Sequence, residues 1–342
     1  MSDTNLFAQQ ESNRRRSAWL VVGFIAFFAW VGFGGDIALG LLTADAPPNA
    51  YHHVVPVFGM VTTLVAGGIA WYAWRFGAER VLWSTGAWEI VEPATPEQRQ
   101  LVNVVEEMAI ASGQPRPRIF IVPDDDPNAF ATGRDPQHAC IAVTEGLLKA
   151  LSRDELQAVV AHEMAHVRNL DTRLMTLLAA MVGAIALMSD GMGRVLRSGP
   201  RISSGSSGGS SRGGSKGGNP LGLIILVLWL LTLVVAPVLS RLLAMAVSRK
   251  REYLADATGA QFTRNPDALA AALAKLTAAT APTRSITRGA AHLCIVDPTA
   301  SHFGDHEGVL GDLFASHPPI AQRIARLRAM AYADVSSVSS AS

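Results

Sequence analysis

His162, Glu163 and His166 stand in the pattern His-Glu-Met-Ala-His, inside the stretch AVVAHEMAHVRN. On an α-helix, positions i and i+4 share a face, so both imidazoles can reach one cation. Glu163 follows the first imidazole by one residue, where it can hold a water beside that cation and take its proton. Zinc suits such donors: it is borderline-soft, has no redox chemistry, and takes two or three nitrogens and a carboxylate with one position left for water. The pattern fixes only three positions, so its surroundings decide. Val159, Val160, Ala161, Met164, Ala165 and Val167 are all apolar, which predicts a helix buried nearly all round. Ionisable groups on a buried helix are costly unless paired or metal-bound.

Two imidazoles leave a zinc site one ligand short. A second segment offers carboxylates: Arg249-Lys250-Arg251-Glu252-Tyr253-Leu254-Ala255-Asp256. Glu252 and Asp256 share a helix face, so one can ligate while the other orients a ligand. On an exposed helix the same pair would be a charge-laced face with Arg249 and Arg251 as partners. The histidine helix tips the balance toward the metal.

These side chains need elements to hold them. Ser152-Arg153-Asp154-Glu155 is a capping box that starts the histidine helix. Residues 95–112 form an amphipathic helix with Leu101, Val104, Val105 and Met108 at helical spacing, Pro96 at its first position and Gly113 after its end. Arg118-Ile119-Phe120-Ile121-Val122 is a short strand between prolines. The segments NAFATG (128–133) and ACIAVT (139–144) form two more strands joined by a polar turn. Asp124-Asp125-Asp126 is a solvated acidic turn.

The chain of 342 residues carries a net charge of +1, with 49% apolar and 17% charged residues. That balance excludes the strong basic field of a nucleic-acid binder and points to a membrane protein. Cys140 and Cys294 lie in no ligand spacing and read as buried thiols in a reducing compartment. Residues 1–17 are a polar cytoplasmic N-terminus ending in Arg14-Arg15-Arg16. Residues 18–75 form a transmembrane hairpin of two apolar runs, turned at Pro47-Pro48-Asn49, with Trp71 and Trp74 at the membrane boundary. No small-residue cleavage site follows the first run, so it reads as an uncleaved anchor. The arginine triplet, with Arg75 and Arg80 beyond the second run, puts both hairpin ends in the cytoplasm.

Residues 78–171 are then the first part of a soluble domain, 174–248 a second membrane hairpin and 249–330 the second part of the domain. A disordered tail fills 331–342. The second hairpin contains a Gly/Ser-rich linker at 198–219 of flexible composition. Its arginines and lysine oppose a location outside the cytoplasm, and the apolar run at 174–189 is short for a span, so this hairpin either inserts partly or follows the first. In both cases the histidine helix and everything after Arg249 face the side of the N-terminus.

Four stretches in order, NAFATG, AHEMAHVRNLD, REYLADATGA and SHPPIAQRI, together resemble the membrane-bound zinc metalloproteases of the M48 group. The resemblance covers most of the chain. It implies a fold that is mainly α with a small β-sheet, a gluzincin-type metalloprotease domain, plus transmembrane helices. It implies one Zn2+ per chain held by His162, His166 and Glu252, with Glu163 as catalytic base and Asp256 orienting a ligand. More weakly, it implies that Asn128, Ala129, Phe130 and Ala131 form an edge strand that binds a peptide substrate by backbone pairing. His317 or Arg323 would then steady the oxyanion. His292, His302 and His306 match no pattern.

The implied activity is zinc-dependent endopeptidase cleavage of misfolded membrane or membrane-associated proteins at the cytoplasmic face, in protein quality control and the stress response. The implied location is the cell's inner (plasma) membrane, multi-pass. The implied partners are protein or peptide substrates and the lipid bilayer, with no nucleic acid and no oligomeric state specified. Two alternatives stand beside it: a non-catalytic membrane scaffold with a structural zinc, and CAAX-type processing of prenylated proteins. No Cys or His near Glu252 would close a structural site.

Overall fold

The computed structural model describes residues 3–44, 47–178, 249–279, 283–286, 293–296 and 318–339, with positions 181, 224 and 227. The linker at 198–219, His317, residues 179–180 and 182–189 of the apolar run at 174–189, and nearly all of the run at 221–240 lie outside these residues. The chain divides into two compact units. One draws on Met1–Ala18, Tyr72–Ala180 and Leu242–Ser342; the other on Trp19–Trp71 and Met181–Arg241.

In the second unit, helices α1 (Asp3–Thr43) and α2 (Val57–Ser84) supply an antiparallel apolar pair. Both are long and apolar enough to cross a membrane. Trp19, Val22, Trp30, Ile37, Val61, Leu64 and Trp71 are exposed on them, a surface that water does not favour. Asp36 interrupts the first run without exposure. Its carboxylate accepts from the amides of Gly59 at 2.6 Å and Phe58 at 3.4 Å, near the start of α2, and meets His53 Nε2 at 2.7 Å. Helix N-termini lack intrahelical partners for their first amides, and a carboxylate there satisfies them.

Both hairpin helices exceed the boundaries expected from hydropathy. α1 begins at Asp3, inside the polar segment 1–17, which is therefore helical over most of its length. α2 continues to Ser84, because Val81 and Leu82 bury into an apolar cluster of the first unit.

The first unit is mainly α around one small sheet. Its elements are β1 (Trp88–Glu89), α3 (Pro96–Ser112), β2 (Arg118–Val122), β3 (Ala129–Thr132), β4 (Cys140–Thr144), α4 (Glu145–Ala150), α5 (Arg153–Arg168), α6 (Arg249–Thr263), α7 (Pro266–Ala278) and α8 (Ile320–Ser339). The strand order is β1-β2-β4-β3. β2 and β4 are parallel, with Ile119 opposite Ile141, while β3 runs antiparallel to β4, with Phe130 opposite Ala142. Leu101, Val104, Val105 and Met108 of α3 bury with Val159, Val160 and Met164 of α5 in the main core. Thr95 caps α3 through Gln98, and Gly113 closes it at φ 68°, a left-handed conformation that glycine adopts without strain.

Two expectations fail here. The acidic turn is a clasp, not a solvated loop: Asp124 and Asp126 are buried. Asp124 Oδ2 accepts from the amides of Arg284 at 2.9 Å and Ser285 at 2.6 Å, and Thr283 donates to Asp126. The tail at 331–342 is helical through Ser339. No glycine or proline interrupts residues 320–339, so nothing stops the helix.

Candidate metal centre

α5 carries the two imidazoles through the core. Ser152 caps it by accepting from the Glu155 amide, while the Glu155 side chain accepts from the Ser152 amide at 2.7 Å. This fixes the start of the helix. Residues 155–167 of α5 are buried almost throughout, His162 and Glu163 included. α6 crosses it closely. A Cβ at Gly259 would lie 3.0 Å from the His162 nitrogen and 3.1 Å from its Cα. A larger side chain here would crowd the α5 backbone by a few tenths of an ångström, and the close approach that glycine permits brings Glu252 and Asp256 to the histidines.

His162 Nε2 and His166 Nε2 lie 3.2 Å apart. Glu252 Oε2 is 3.6 Å from the first and Oε1 3.6 Å from the second. Two hydrogen-bond acceptors and a carboxylate do not converge for their own sake. Tetrahedral zinc with bonds of about 2.0–2.1 Å separates its ligand atoms by roughly 3.3 Å, so the spacing fits the ion. Among the described residues these three form the one group that could hold a metal.

The outward-facing nitrogens are held by carboxylates. Asp256 Oδ1 lies 3.0 Å from His162 Nδ1, and Asp171 Oδ2 lies 3.2 Å from His166 Nδ1. A carboxylate on Nδ1 keeps the proton there and leaves Nε2 as the metal-facing lone pair. Burial favours the neutral form of His162, but Asp256 and Glu252 outweigh it and push the metal-free ring up to about 9. Burial raises Glu163 above the usual carboxylate range, partly offset by the two histidines and by the Ala131 amide that donates to it.

Arg323 is fully buried. It forms a fork on Asp256, Nε to Oδ2 at 2.9 Å and Nη2 to Oδ1 at 2.7 Å. Its Nη1 donates to the Ile295 carbonyl at 3.1 Å and lies 3.4 Å from Glu252 Oε2. Burial would raise the Asp256 carboxyl, and Arg323 with His162 holds it low instead.

A cleft opens on the donors, lined by Ala131, Glu163, Asp171, Thr172, Met175, Leu293, Cys294 and Ile295. Metal donors, an acid–base carboxylate and an open cleft together can hydrolyse a polar bond. Residues 95–331 match peptidase family M48. The chain belongs to that family, and it is a metalloprotease.

Two relatives at similar length carry the same description. A "Protease HtpX homolog" of Streptococcus gordonii is 37% identical over 95% of this chain and 100% of its own length. Another, of Caldanaerobacter subterraneus subsp. tengcongensis, is 42% identical over 76% of this chain and 80% of its own. The crystal structure of S. mikatae Ste24p aligns with a TM-score of 0.44 at 18% identity, covering 90% of this chain and 66% of that one.

In this M48 chain the structure brings together His162, Glu163, His166, Glu252 and Asp256. The other expected residues land differently. Arg323 donates to Asp256 and Ile295, and its Nη2 also lies 3.4 Å from His162 Nε2, beside the donors though not among the residues that line the cleft. His317 lies outside the described residues. β3 is the last named strand of the sheet, but its outer side is taken: Ile295 N donates to Ala129 O at 3.0 Å, Asn128 Nδ2 donates to Val296 O at 2.9 Å, and Phe130 bridges Cys294. Of the four residues expected to pair with a peptide, Ala131 alone lines the cleft.

Asp171 and Gly259 lie inside AHEMAHVRNLD and REYLADATGA, two of the stretches that carry the resemblance, but their roles emerge only from the structure. Asp171 falls five residues past His166, after Leu170 turns the chain at φ 59°. Gly259 sits in a run of small residues, Ala255 to Ala260 interrupted by Asp256 and Thr258, which marks close helix packing in retrospect.

Proposed function

We propose that this metalloprotease is an integral-membrane zinc endopeptidase that cleaves misfolded membrane-associated proteins on the cytoplasmic side. The convergence of His162, His166 and Glu252 beside Glu163 in an open cleft carries this reading. Three protein donors facing a cleft suit catalysis, since a structural zinc is closed by four. The two apolar helices with exposed tryptophans support the membrane location, and Arg14-Arg15-Arg16 before the first span supports the cytoplasmic orientation.

Zinc would supply Lewis-acid polarisation of the scissile carbonyl and acidify water in the site. The protein does the rest. His162, His166 and Glu252 hold the ion, with Asp256 and Asp171 fixing the imidazole tautomers. Glu163 takes the proton of the attacking water and passes it to the leaving amide nitrogen. Its burial keeps it basic for a carboxylate, and the Ala131 amide aims it. Arg323 acts as a positioning residue behind Asp256. His317 remains a proposed oxyanion donor on its sequence motif alone. A peptide in the cleft would run past Ala131, Leu293 and Ile295, which line it together.

Glu163→Gln tests the base. It should keep zinc at wild-type stoichiometry and lose cleavage of a casein-like unfolded substrate by roughly a thousandfold. Retained cleavage would contradict the assignment.

A further inference from the structure

We infer that Asn13, in the polar N-terminal end of α1, is a positioning residue for the metal centre, acting on His166 through Asp171. The inference rests on the reading of His166 as a metal ligand. Asn13 is fully buried, although its neighbours Arg14, Arg15 and Arg16 are exposed. Its Nδ2 donates to the Asn169 carbonyl at 2.8 Å and to Asp171 Oδ1 at 2.7 Å. The other oxygen of that carboxylate, Oδ2, lies 3.2 Å from His166 Nδ1. Arg251 Nη1 stands 3.8 Å from Oδ1, too far for a hydrogen bond. Among the described side chains, Asn13 is therefore the close hydrogen-bond donor that sets which way the Asp171 carboxylate points.

One turn earlier, Gln10 Nε2 donates to the Arg168 carbonyl at 2.7 Å. Gln10 and Asn13 thus satisfy carbonyls at the C-terminal end of α5, which a helix leaves without intrahelical partners. Gln10, Asn13 and the buried Ser17 recur at helical spacing and form one face of α1. The same helix continues through an apolar run long enough to cross a membrane. A displacement of the anchor helix would therefore pull on the carboxylate that orients a metal ligand.

The experiment uses the full-length protein in detergent and measures Zn2+ affinity by chelator competition, with the Co2+ absorption spectrum as a geometric readout. Asn13→Ala should weaken Zn2+ by roughly ten- to a hundredfold and change the Co2+ spectrum, the range found for partners that orient a ligand. Asn13→Asp should do at least as much, because it sets a carboxylate against Asp171. Glu11→Ala, exposed on the same helix, should match wild type. Asp171→Asn should show the Asn13→Ala loss, and adding Asn13→Ala to it should cost nothing further. Wild-type affinity in Asn13→Ala, additive losses in the double variant, or a loss that follows collapse of the metal-free helical signal would each overturn the inference. His166→Ala separates the two levels: it should lose Zn2+, and wild-type affinity there would overturn the ligand reading itself.

Discussion

The apolar hairpin and the metal centre are both built around a buried aspartate that meets a histidine, and they end differently. In the hairpin, Asp36 meets His53 Nε2 at 2.7 Å, and the other ring nitrogen of His53 meets the Tyr51 hydroxyl at 2.8 Å. Two amides of α2 donate to the same carboxylate, one to each oxygen. Every polar atom there has a partner within the chain, so the cluster is a lock between two helices. In the site, Asp256 and Asp171 lie against one nitrogen of each ring at 3.0 and 3.2 Å, and the other two nitrogens face each other across 3.2 Å with Glu252 beside them and Arg323 Nη2 3.4 Å from that of His162. Burial of an aspartate–histidine pair is therefore no sign of chemistry. Convergence of the lone pairs left over is.

The comparison can be broken by exchanging the consequences of mutation. His166→Ala should abolish Zn2+ binding and proteolysis together, measured by metal content and casein cleavage. Asp171→Asn keeps the ligands but removes the charge on His166 Nδ1, and metal affinity should fall roughly ten- to a hundredfold. Gly259→Ala places a methyl about 3.0 Å from the α5 backbone and should separate the helices by a few tenths of an ångström. Cleavage should drop about tenfold, since small misplacements of a site are costly. His53→Ala should leave metal content and specific activity unchanged. It should lower stability by about 1–3 kcal/mol, the cost of leaving a buried polar partner without its hydrogen bond, read as a thermal shift in detergent. Metal loss from His53→Ala would erase the distinction between the two clusters.

Local signals in the sequence carried much of the fold. The cap and spacing of α3, the strand at residues 118–122, and the capping box of α5 all stand where short-range patterns put them. Proline, glycine and Ser-x-x-Glu act within a few residues, so a single sequence displays them. His162 and His166 stand in a chemically distinctive local pattern, whereas Glu252 is singled out from Asp256 only by the family resemblance. The roles of Asp171, Gly259 and Asn13 were not legible, because their meaning lies in pairs. Asn13 and Asp171 are 158 positions apart, and by itself Asn13 is one more polar residue of the N-terminal segment 1–17. Asp124 and Asp126 read as a turn because their partners, residues 283–285, are equally distant in sequence. The outer side of β3 read as open because nothing near it foretells that Ile295 returns to pair there.

On this reading, three donors from two segments share one ion. The most direct test is the metal content of purified wild type beside Glu252→Ala, with folding of both checked by circular dichroism. One zinc per wild-type chain and almost none in a folded Glu252→Ala protein is the predicted result. Equal zinc in the two proteins would contradict it.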